Sequence, residues 1–394
     1  MSAEQAAAPP PTVHLHIGTT KSGTSFLQGV LWSHRVRLAA DGILYPGEDR
    51  WAEQVAAVRD VLREGRKTRR EIEVGAWEAM RDRMLGWPGR SVIMSMELIS
   101  LATPERAERI VSSLHPADVH VVITARDLAR VIPSSWQESV QNRQTWSWEE
   151  FVEGLTGSDQ DTSKPAHRFW RQQDVPVIAR TWANLVGTDH VHLVVVPRAG
   201  APRDELWRRF APVVGLDPDT YHAPPHLRGN PAVGAASAEF LRRLNVRLGR
   251  KFDIATYERH VKKHVAKETF GQLEDGDRLR LPAEHEAWAV ARASEITLQI
   301  LELGIDVHGD LDELIPELTP GDRPAVTIAE HEVADAGVQA VEALVRALAQ
   351  PPEADPRRAQ GAMAAGSDRE RRRARRMARR AAATGDRSPA DGHL

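Results

Sequence analysis

Residues 13–26, VHLHIGTTKSGTSF, carry the pattern that decides the fold. Apolar residues alternate with histidines through VHLHI, which is the period of a β-strand. Two glycines follow, Gly18 and Gly23, and SFLQGVLWSHRVRLAADG then repeats apolar residues at helical spacing as far as Gly42. A glycine loop between a strand and a helix directs backbone N–H groups and the positive end of the helix dipole at one point. The stretch therefore predicts an anion-binding site.

The loop departs from the triphosphate-binding pattern G-x-x-x-x-G-K-[ST] in the place of its lysine. Gly18 and Gly23 have the required spacing and Ser25 fills the last position, but Thr24 stands where the lysine belongs. The lysine comes three places early, at Lys21. A lysine after the second glycine reaches the β- and γ-phosphates of a nucleotide. A lysine earlier in the loop lies near the first phosphate and the group bonded to it.

Short apolar runs recur along the chain and predict a parallel sheet. They lie at 91–95, 119–125 and 190–196, separated by amphipathic helical stretches. Buried strands that alternate with helices are typical of a sheet covered on both faces. The pattern is helical from 231 to 305, and 328–350 forms one more amphipathic helix. We expect an α/β fold of the P-loop type with a helical C-terminal part.

The segment TTKSGTSFL resembles the 5′-phosphosulfate loop of the cytosolic and Golgi sulfotransferases, T-x-x-K-S-G-T followed by a small hydroxyl residue and an aromatic one. The resemblance extends over about residues 12–318 and implies a bacterial member of that family. It implies that the loop holds the 5′-phosphate of 3′-phosphoadenosine 5′-phosphosulfate, and that Lys21 stabilises the leaving phosphate oxygen. The loop residues that it assigns to donor binding are Lys21, Ser22, Gly23, Thr24, Ser25 and Phe26.

A second pair of residues agrees with this resemblance. Arg126 follows the strand VHVVITA, and Ser134 stands eight residues later. Sulfotransferases have an arginine and a serine at this spacing, and together they bind the 3′-phosphate. An arginine fork and a hydroxyl suit a dianion. Ser135 is an alternative to Ser134, and Pro133 predicts that a helix or turn begins there.

Two further positions have equally ordinary alternatives. HLRGNPAVG offers Arg228 and Gly229 where many members of the family close over the 3′-phosphate and adenine, but a surface loop would explain them as well. Phe26 occupies the position where the family usually stacks a tryptophan on adenine. It could instead pack in the core beneath the first helix.

The resemblance also directs attention to the base that would activate the acceptor. Well-known members use a histidine at the end of the second main strand, whereas SVIMSMELIS places Glu97 there. A partly buried glutamate has a raised pKa, as a base requires. Glu97 could also cap the next turn or pair with Arg126. His14 and His16 are rival candidates for the base. Their spacing could also suit a metal ion, but no third ligand is evident, so we expect no metal site.

Two other classes of function compete with the sulfotransferase interpretation. A P-loop kinase would need Mg²⁺ held by the loop hydroxyl, for which Ser25 could serve, and by an acidic residue at a neighbouring strand end. The strand VHVVITA ends in Arg126 instead, and the usual lysine is missing. A non-catalytic nucleotide-binding relative is the third alternative.

The composition excludes several classes of protein. There are no cysteines, so thiolate catalysis and disulfides are excluded, and the net charge of -3 gives no general attraction to nucleic acid. No signal-peptide pattern and no apolar run of about 20 residues is present, so we expect a cytoplasmic protein. The acceptor is expected to be a small metabolite or a carbohydrate, because WQESVQNRQTWSW offers tryptophans on which rings can stack.

The chain is expected to contain four parts. They are a disordered lead at 1–11, the sulfotransferase domain at 12–320, a linker and amphipathic helix at 321–350, and a disordered Arg-rich tail at 351–394. Ten arginines lie between 357 and 380, against two acidic residues. A weak contact with a polyanion is the sharper interpretation of that tail.

Overall fold

The computed structural model describes residues 10–47, 52–63, 74–225, 227, 233–272, 279–317 and 328–349. The chain divides into two units, Met1–Ala343 and Leu344–Leu394. Of the second unit, only residues 344–349 are described. The predicted lead, apart from Pro10 and Pro11, and the predicted Arg-rich tail lie outside the described residues.

Six parallel strands form one sheet in the order β2-β3-β1-β4-β5-β6. The strands are β1 (Thr12–His16), β2 (Ile43–Leu44), β3 (Ser91–Ser95), β4 (Asp118–Ala125), β5 (Val191–Val195) and β6 (Asp306–His308). The predicted α/β fold with a parallel sheet is therefore confirmed. The four longer strands correspond to the four predicted runs, while β2 and β6 were not predicted.

Helices flank this sheet. They are α1 (Thr24–Ser33), α2 (Arg35–Ala40), α3 (Ala52–Val61), α4 (Ala76–Leu85), α5 (Pro104–Ser113), α6 (Leu128–Gln141), α7 (Trp148–Thr156), α8 (Lys164–Gln173), α9 (Val175–Val186), α10 (Glu205–Val213), α11 (Ala235–Leu248), α12 (Ile254–Thr256), α13 (Ala283–Leu303) and α14 (Glu330–Ala349). A π-helix covers Tyr257–Thr269, and 3₁₀ turns cover Glu97–Leu101, Thr188–His190, Phe270–Gln272 and Leu311–Leu314. The helical stretch predicted from 25 to 42 is interrupted at His34, where α1 gives way to α2.

The apolar core lies on both faces of the sheet. On one face, Leu31 of α1 and Phe210 of α10 pack in a cluster with Val122 of β4. Val121, the neighbour of Val122 in the strand, is equally buried. Because successive side chains of a strand point to opposite faces, helices must cover the second face as well. Helix α9 packs against β4 and β5 and contacts α5 and α13.

The C-terminal helices complete the first unit. Helix α11 packs on α6, and α13 lies against α6 and α9. Helix α14 contacts α11 at its first residue, where Arg243 donates to the Glu330 carboxylate at 2.7 Å. Among the described residues no helix is long and apolar enough to cross a membrane.

Candidate functional site

The loop between β1 and α1 is an open cradle of backbone N–H groups. Gly18, Lys21 and Gly23 all have left-handed backbone conformations, with φ of 62°, 65° and 86°. Such alternation turns successive N–H groups toward one point and forms an anion-binding nest. Within the described residues, the backbone N–H groups of Ser22, Gly23 and Thr24 donate to no acceptor. The positive end of α1 lies at the same place.

Both glycines of the loop are required by space as well as by backbone angle. A Cβ on Gly18 would lie 2.7 Å from Cγ2 of Thr24, and one on Gly23 would lie 2.4 Å from Cδ2 of Leu206. A larger residue would therefore have to displace the side chain of Thr24 or Leu206 as well as adopt a left-handed backbone. Lys21 carries a side chain in the same left-handed region, which costs a non-glycine residue about 1–2 kcal/mol. Backbone strain of this kind is concentrated at functional sites.

A buried chain of hydrogen bonds supports the loop from beneath. Ser22 donates to the carbonyl of Thr19 at 2.5 Å, so the hydroxyl of Thr124, 2.6 Å away, must donate to Ser22. Thr124 must then accept from Nε2 of His16 at 3.3 Å. That leaves Nδ1 of His16 to accept from the hydroxyl of Ser95 at 2.7 Å.

This direction of donation requires a neutral imidazole, and burial lowers the pKa of His16 to about 3. His16 also packs edge-on against Phe210 at 4.9 Å. His16 is thus a satisfied core residue, and the side chain of Ser22 is committed to the loop itself. Any contact of Ser22 with a ligand would come from its backbone N–H.

Helix α8 fixes the other side of the loop. Gln173 donates to the Thr20 carbonyl at 2.8 Å, and the Thr20 hydroxyl donates to Gln172 at 3.0 Å. These two glutamines hold Thr20, so the neighbouring Lys21 is presented to the surface with 30% of its side chain exposed.

Two carboxylates lie beside the lysine. The ammonium of Lys21 is 3.9 Å from the carboxylate of Glu138 on α6. Glu97 begins the 3₁₀ turn after β3, and its Oε2 accepts from Nε2 of Gln28 at 3.0 Å. Burial raises the pKa of Glu97, and the negative charge of Glu138 adds to the rise, while Gln28 and Lys21 oppose it. Glu97 is thus a partly buried carboxyl near a cation, the environment that the sequence analysis expected of a base.

A small cavity of about 30 Å³ adjoins this group between α6, α7 and α8. Its lining consists of Ser135, Glu138, Ser139, Asn142, Phe151, Arg168, Phe169 and Gln172. The hydroxyl of Ser135 is buried and has no hydrogen-bond partner among the described residues. Burial lowers the pKa of the Arg168 guanidinium, while the nearby Glu138 opposes the shift.

The second predicted anchor lies at the end of β4. Arg126 directly follows the strand and is partly buried. The predicted helix start at Pro133 is wrong, because α6 begins at Leu128 and Pro133 lies inside it. Asp127 sets this earlier start by accepting from the backbone N–H of Arg130 at 2.9 Å. Ser134 donates to the carbonyl of Arg130 at 3.0 Å, so its hydroxyl would have to rotate to bind a ligand.

The remaining predicted residues divide into described and undescribed ones. Phe26 is partly buried and packs against the apolar cluster under α1. Arg228 and Gly229 lie outside the described residues, but both flanks of that segment are described. Leu227 lies so close to α1 that a Cβ on Gly29 would be 2.6 Å from it. Val233 accepts from Gln137 of α6 at 2.5 Å.

Sequence reasoning missed Glu138, Thr124 and the two glutamines of α8. Glu138 had a usable signal, because it stands four residues after Ser134 and thus on the same face of a helix. Thr124 and Gln173 had none, since only the strand order and the packing of α8 bring them to the loop.

The chain has no match among family models or curated proteins and a weak structural resemblance to one solved protein. A sulfotransferase from Alicyclobacillus acidocaldarius is similar in structure, with 16% sequence identity and a TM-score of 0.35, over 63% of this chain and 99% of that one. Similarity of this degree does not establish a shared activity, so any function must follow from the residues themselves.

Proposed function

We propose that the protein is a sulfotransferase that uses 3′-phosphoadenosine 5′-phosphosulfate as donor and a hydroxyl or amine of a small metabolite or carbohydrate as acceptor. The observation that carries this proposal is the nest of residues 18–24, with Lys21 held in a left-handed conformation beside a carboxyl whose pKa is raised. It combines an anion site, a cation and a candidate base within one loop and its neighbours.

The chain's own groups fit the 5′ end of such a donor. The backbone N–H groups of Ser22, Gly23 and Thr24 donate to no backbone acceptor among the described residues, so they would be available to phosphate oxygens. The ammonium of Lys21 would lie at the bond between phosphate and sulfate. In this arrangement three neutral donors and one cation face a dianion, and no bridging metal ion is needed.

When bound, the donor supplies a sulfuryl group, and a bond from sulfur to the acceptor forms as the bond from sulfur to the 5′-phosphate oxygen breaks. Glu97 takes the proton that the acceptor hydroxyl or amine loses. Its raised pKa brings it closer to the operating pH, where a general base is most effective. Lys21 stabilises the negative charge that develops on the phosphate oxygen of 3′,5′-bisphosphoadenosine.

Arg126 is proposed to bind the 3′-phosphate with a hydroxyl of α6. Ser134 needs a change of rotamer for this, whereas Ser135 faces the cavity. The flanks Leu227 and Val233 lie against α1 and α6, the two helices that follow the loop and Arg126. Arg228 and Gly229, which lie outside the described residues, are assigned to the donor site on the sequence resemblance alone.

The acceptor is proposed to approach beside Glu138, where the desolvated guanidinium of Arg168 lines the cavity. At about 30 Å³ the cavity would receive one polar group of the acceptor and not the whole molecule. A guanidinium donates hydrogen bonds, so an acceptor rich in oxygen atoms suits it.

The test compares two ligands on the full chain. Stabilisation against heat by 3′,5′-bisphosphoadenosine, with none by ATP and Mg²⁺, is expected because the lysine of a triphosphate loop is absent. Transfer of labelled sulfate to a panel of hydroxyl and amine acceptors should proceed in the presence of chelator. Stabilisation by ATP and Mg²⁺ alone would favour the kinase interpretation, and ligand binding without transfer would favour a non-catalytic relative.

A further inference from the structure

The four strands β1, β4, β5 and β6 each carry the dipeptide Val-His, which lies near the amino end in the first three and ends the short strand β6. The pairs are Val13-His14, Val119-His120, Val191-His192 and Val307-His308. These strands are neighbours in the sheet, so the imidazoles form a row across it. The ring centroids are 5.4 Å apart from His14 to His120, 5.2 Å from His120 to His192 and 6.0 Å from His192 to His308.

Together with nearby carboxylates and His190, histidines of this row form two groups of three side chains that could bind a metal ion. The first group is Asp118, His120 and His190, and the second is His192, Asp306 and His308; within each, the candidate ligand atoms lie within 4.8 Å of one another. His14 and His16, which alternate along β1, belong to different groups of side chains. His16 belongs to the hydroxyl network, and the carboxylates lie farther along the row from His14.

The first group has the better geometry for a metal ion. The two oxygens of Asp118 lie 3.2 Å from Nε2 of His120 and 3.0 Å from Nε2 of His190. Ligands bonded to Zn²⁺ at about 2.0–2.1 Å in a tetrahedron are about 3.3 Å apart, so small side-chain shifts would accommodate the ion. In the second group the histidines lie 2.9 and 2.8 Å from a single oxygen of Asp306, which are hydrogen-bond distances.

One outer ring nitrogen of the first group is also supported, since Nδ1 of His120 lies 2.9 Å from Nε2 of His192. Nδ1 of His190 lies 3.3 Å from the carboxylate of Asp189 but makes no hydrogen bond among the described residues. Metal-binding histidines commonly have their second nitrogen held in this way, which fixes the tautomer. In the second group, the described residues provide no such support for Nδ1 of His308.

The contact between His120 and His192 limits the cluster to one ion. A neutral histidine that binds a metal through one nitrogen carries its proton on the other. With an ion on Nε2 of His120, its Nδ1–H donates to His192, and the proton on Nδ1 of His192 then faces Asp306. Were both groups loaded, two N–H groups would point at each other across 2.9 Å.

We propose that Asp118, His120 and His190 bind one divalent transition-metal ion of the Zn²⁺ class, with His192 and Asp306 as its outer support. Imidazole and carboxylate ligands suit such an ion, and the partly exposed Asp118 leaves room for water as a further ligand. The site lies at the amino ends of the strands. The loop with Lys21 lies beyond their carboxyl ends, about 16 Å away along β4. The ion would therefore join β4 to the turn before β5 and take no part in transfer.

The experiment is a Zn²⁺ titration of the tag-free full chain, stripped of metal beforehand, in competition with a chromophoric chelator. One equivalent is expected to bind, and Co²⁺ in its place should give visible absorption bands of a four- or five-coordinate ion. H190Q should weaken binding by ~100-fold or more, since it removes a ligand, whereas losing outer support typically costs 10–100-fold. The exposed D118N provides a second variant that should fold normally, as circular dichroism would verify.

H308Q is the matched control, because it alters the second group alone and should leave the affinity within about threefold. The proposal would be overturned by the absence of Zn²⁺ binding in the wild type. It would also be overturned if H308Q weakened binding as much as H190Q, or if two equivalents bound with equal affinity.

Discussion

Replacing Lys21 by alanine and, separately, by glycine isolates the two roles that the structure gives to this residue. The φ of 65° places Lys21 in a region that is unfavourable for any residue with a Cβ. Alanine retains this penalty of about 1–2 kcal/mol. Glycine removes it but loses more backbone entropy on folding, about 0.5–1 kcal/mol.

The difference in unfolding free energy between the two variants reports on the backbone alone, because both variants lose the same side-chain interactions. Both lose the ion pair with Glu138, which at 3.9 Å and with 30% and 41% of the side chains exposed contributes little. The free energy of unfolding should therefore be about 0.5–1 kcal/mol higher for Lys21→Gly than for Lys21→Ala. Urea denaturation followed by circular dichroism measures this difference directly.

Both variants should lose catalysis to the same extent. Removing one group that stabilises developing charge typically lowers kcat by ~10²–10³. Initial rates with labelled donor test this, and Lys251→Ala, an exposed lysine elsewhere, serves as the control for loss of charge. A glycine variant less stable than the alanine variant would refute the left-handed loop, and near-normal turnover in either would refute the role of the ammonium.

Four further predictions concern the two carboxyls, the 3′-phosphate and the buried histidine. Glu97→Gln should retain donor binding and lose most turnover. The variant should also be more stable than the wild type at neutral pH, because burial raises the pKa of Glu97 and its ionisation then opposes folding. This difference in stability should disappear below the unfolded pKa of about 4.3. Glu138→Gln should move the acidic limb of the activity profile to lower pH, since Glu138 contributes to the raised pKa of Glu97. Arg126→Ala and Ser134→Ala should each weaken binding of 3′,5′-bisphosphoadenosine by about ten- to hundredfold and abolish its higher affinity relative to the 5′-monophosphate. Calorimetry measures both affinities. If the variants still bind the bisphosphate more tightly, the 3′-phosphate is held elsewhere. His16→Gln should make the free energy of unfolding less dependent on pH in acid. The pKa of His16 is about 3 in the folded protein, so the wild type loses stability as the pH falls below about 6.5. The difference in unfolding free energy between wild type and variant should change by about 1.4 kcal/mol per pH unit between pH 6 and 4.

The sequence was sufficient for the sheet and for the loop because each is a local pattern. Apolar runs predicted the strands at 91–95 and 119–125, and the glycine spacing identified the loop before any neighbour was known. The short edge strands β2 and β6 escaped prediction because two or three residues carry no periodicity. The start of α6 was misplaced because a proline was given more weight than Asp127, whose side chain caps the helix five residues earlier.

The contents of the site were harder to predict, since they depend on strand order. Helical spacing places Glu138 on the same face as Ser134, but it does not show that this face meets Lys21. Nothing near His120 shows that His190 and His192 lie beside it. The Val-His pairs are visible in the sequence, but they become a cluster only when four strands are known to be adjacent.

The buried network under the loop explains how three strand ends are kept in one arrangement. Ser95 on β3, His16 on β1 and Thr124 on β4 are joined by hydrogen bonds that continue to Ser22 in the loop. Three of the proposed functional residues stand within two positions of a member of this network: Glu97 follows Ser95, Arg126 follows Thr124, and Lys21 precedes Ser22.

A neutral His16 is the central link, because only that form can donate to Thr124 while accepting from Ser95. Protonation would make both ring nitrogens donors, so the hydroxyl of Ser95 would have to turn and accept from Nδ1 instead of donating to it. The same imidazole that stabilises the core at neutral pH therefore also sets the relative positions of the proposed base, the phosphate-binding arginine and the lysine.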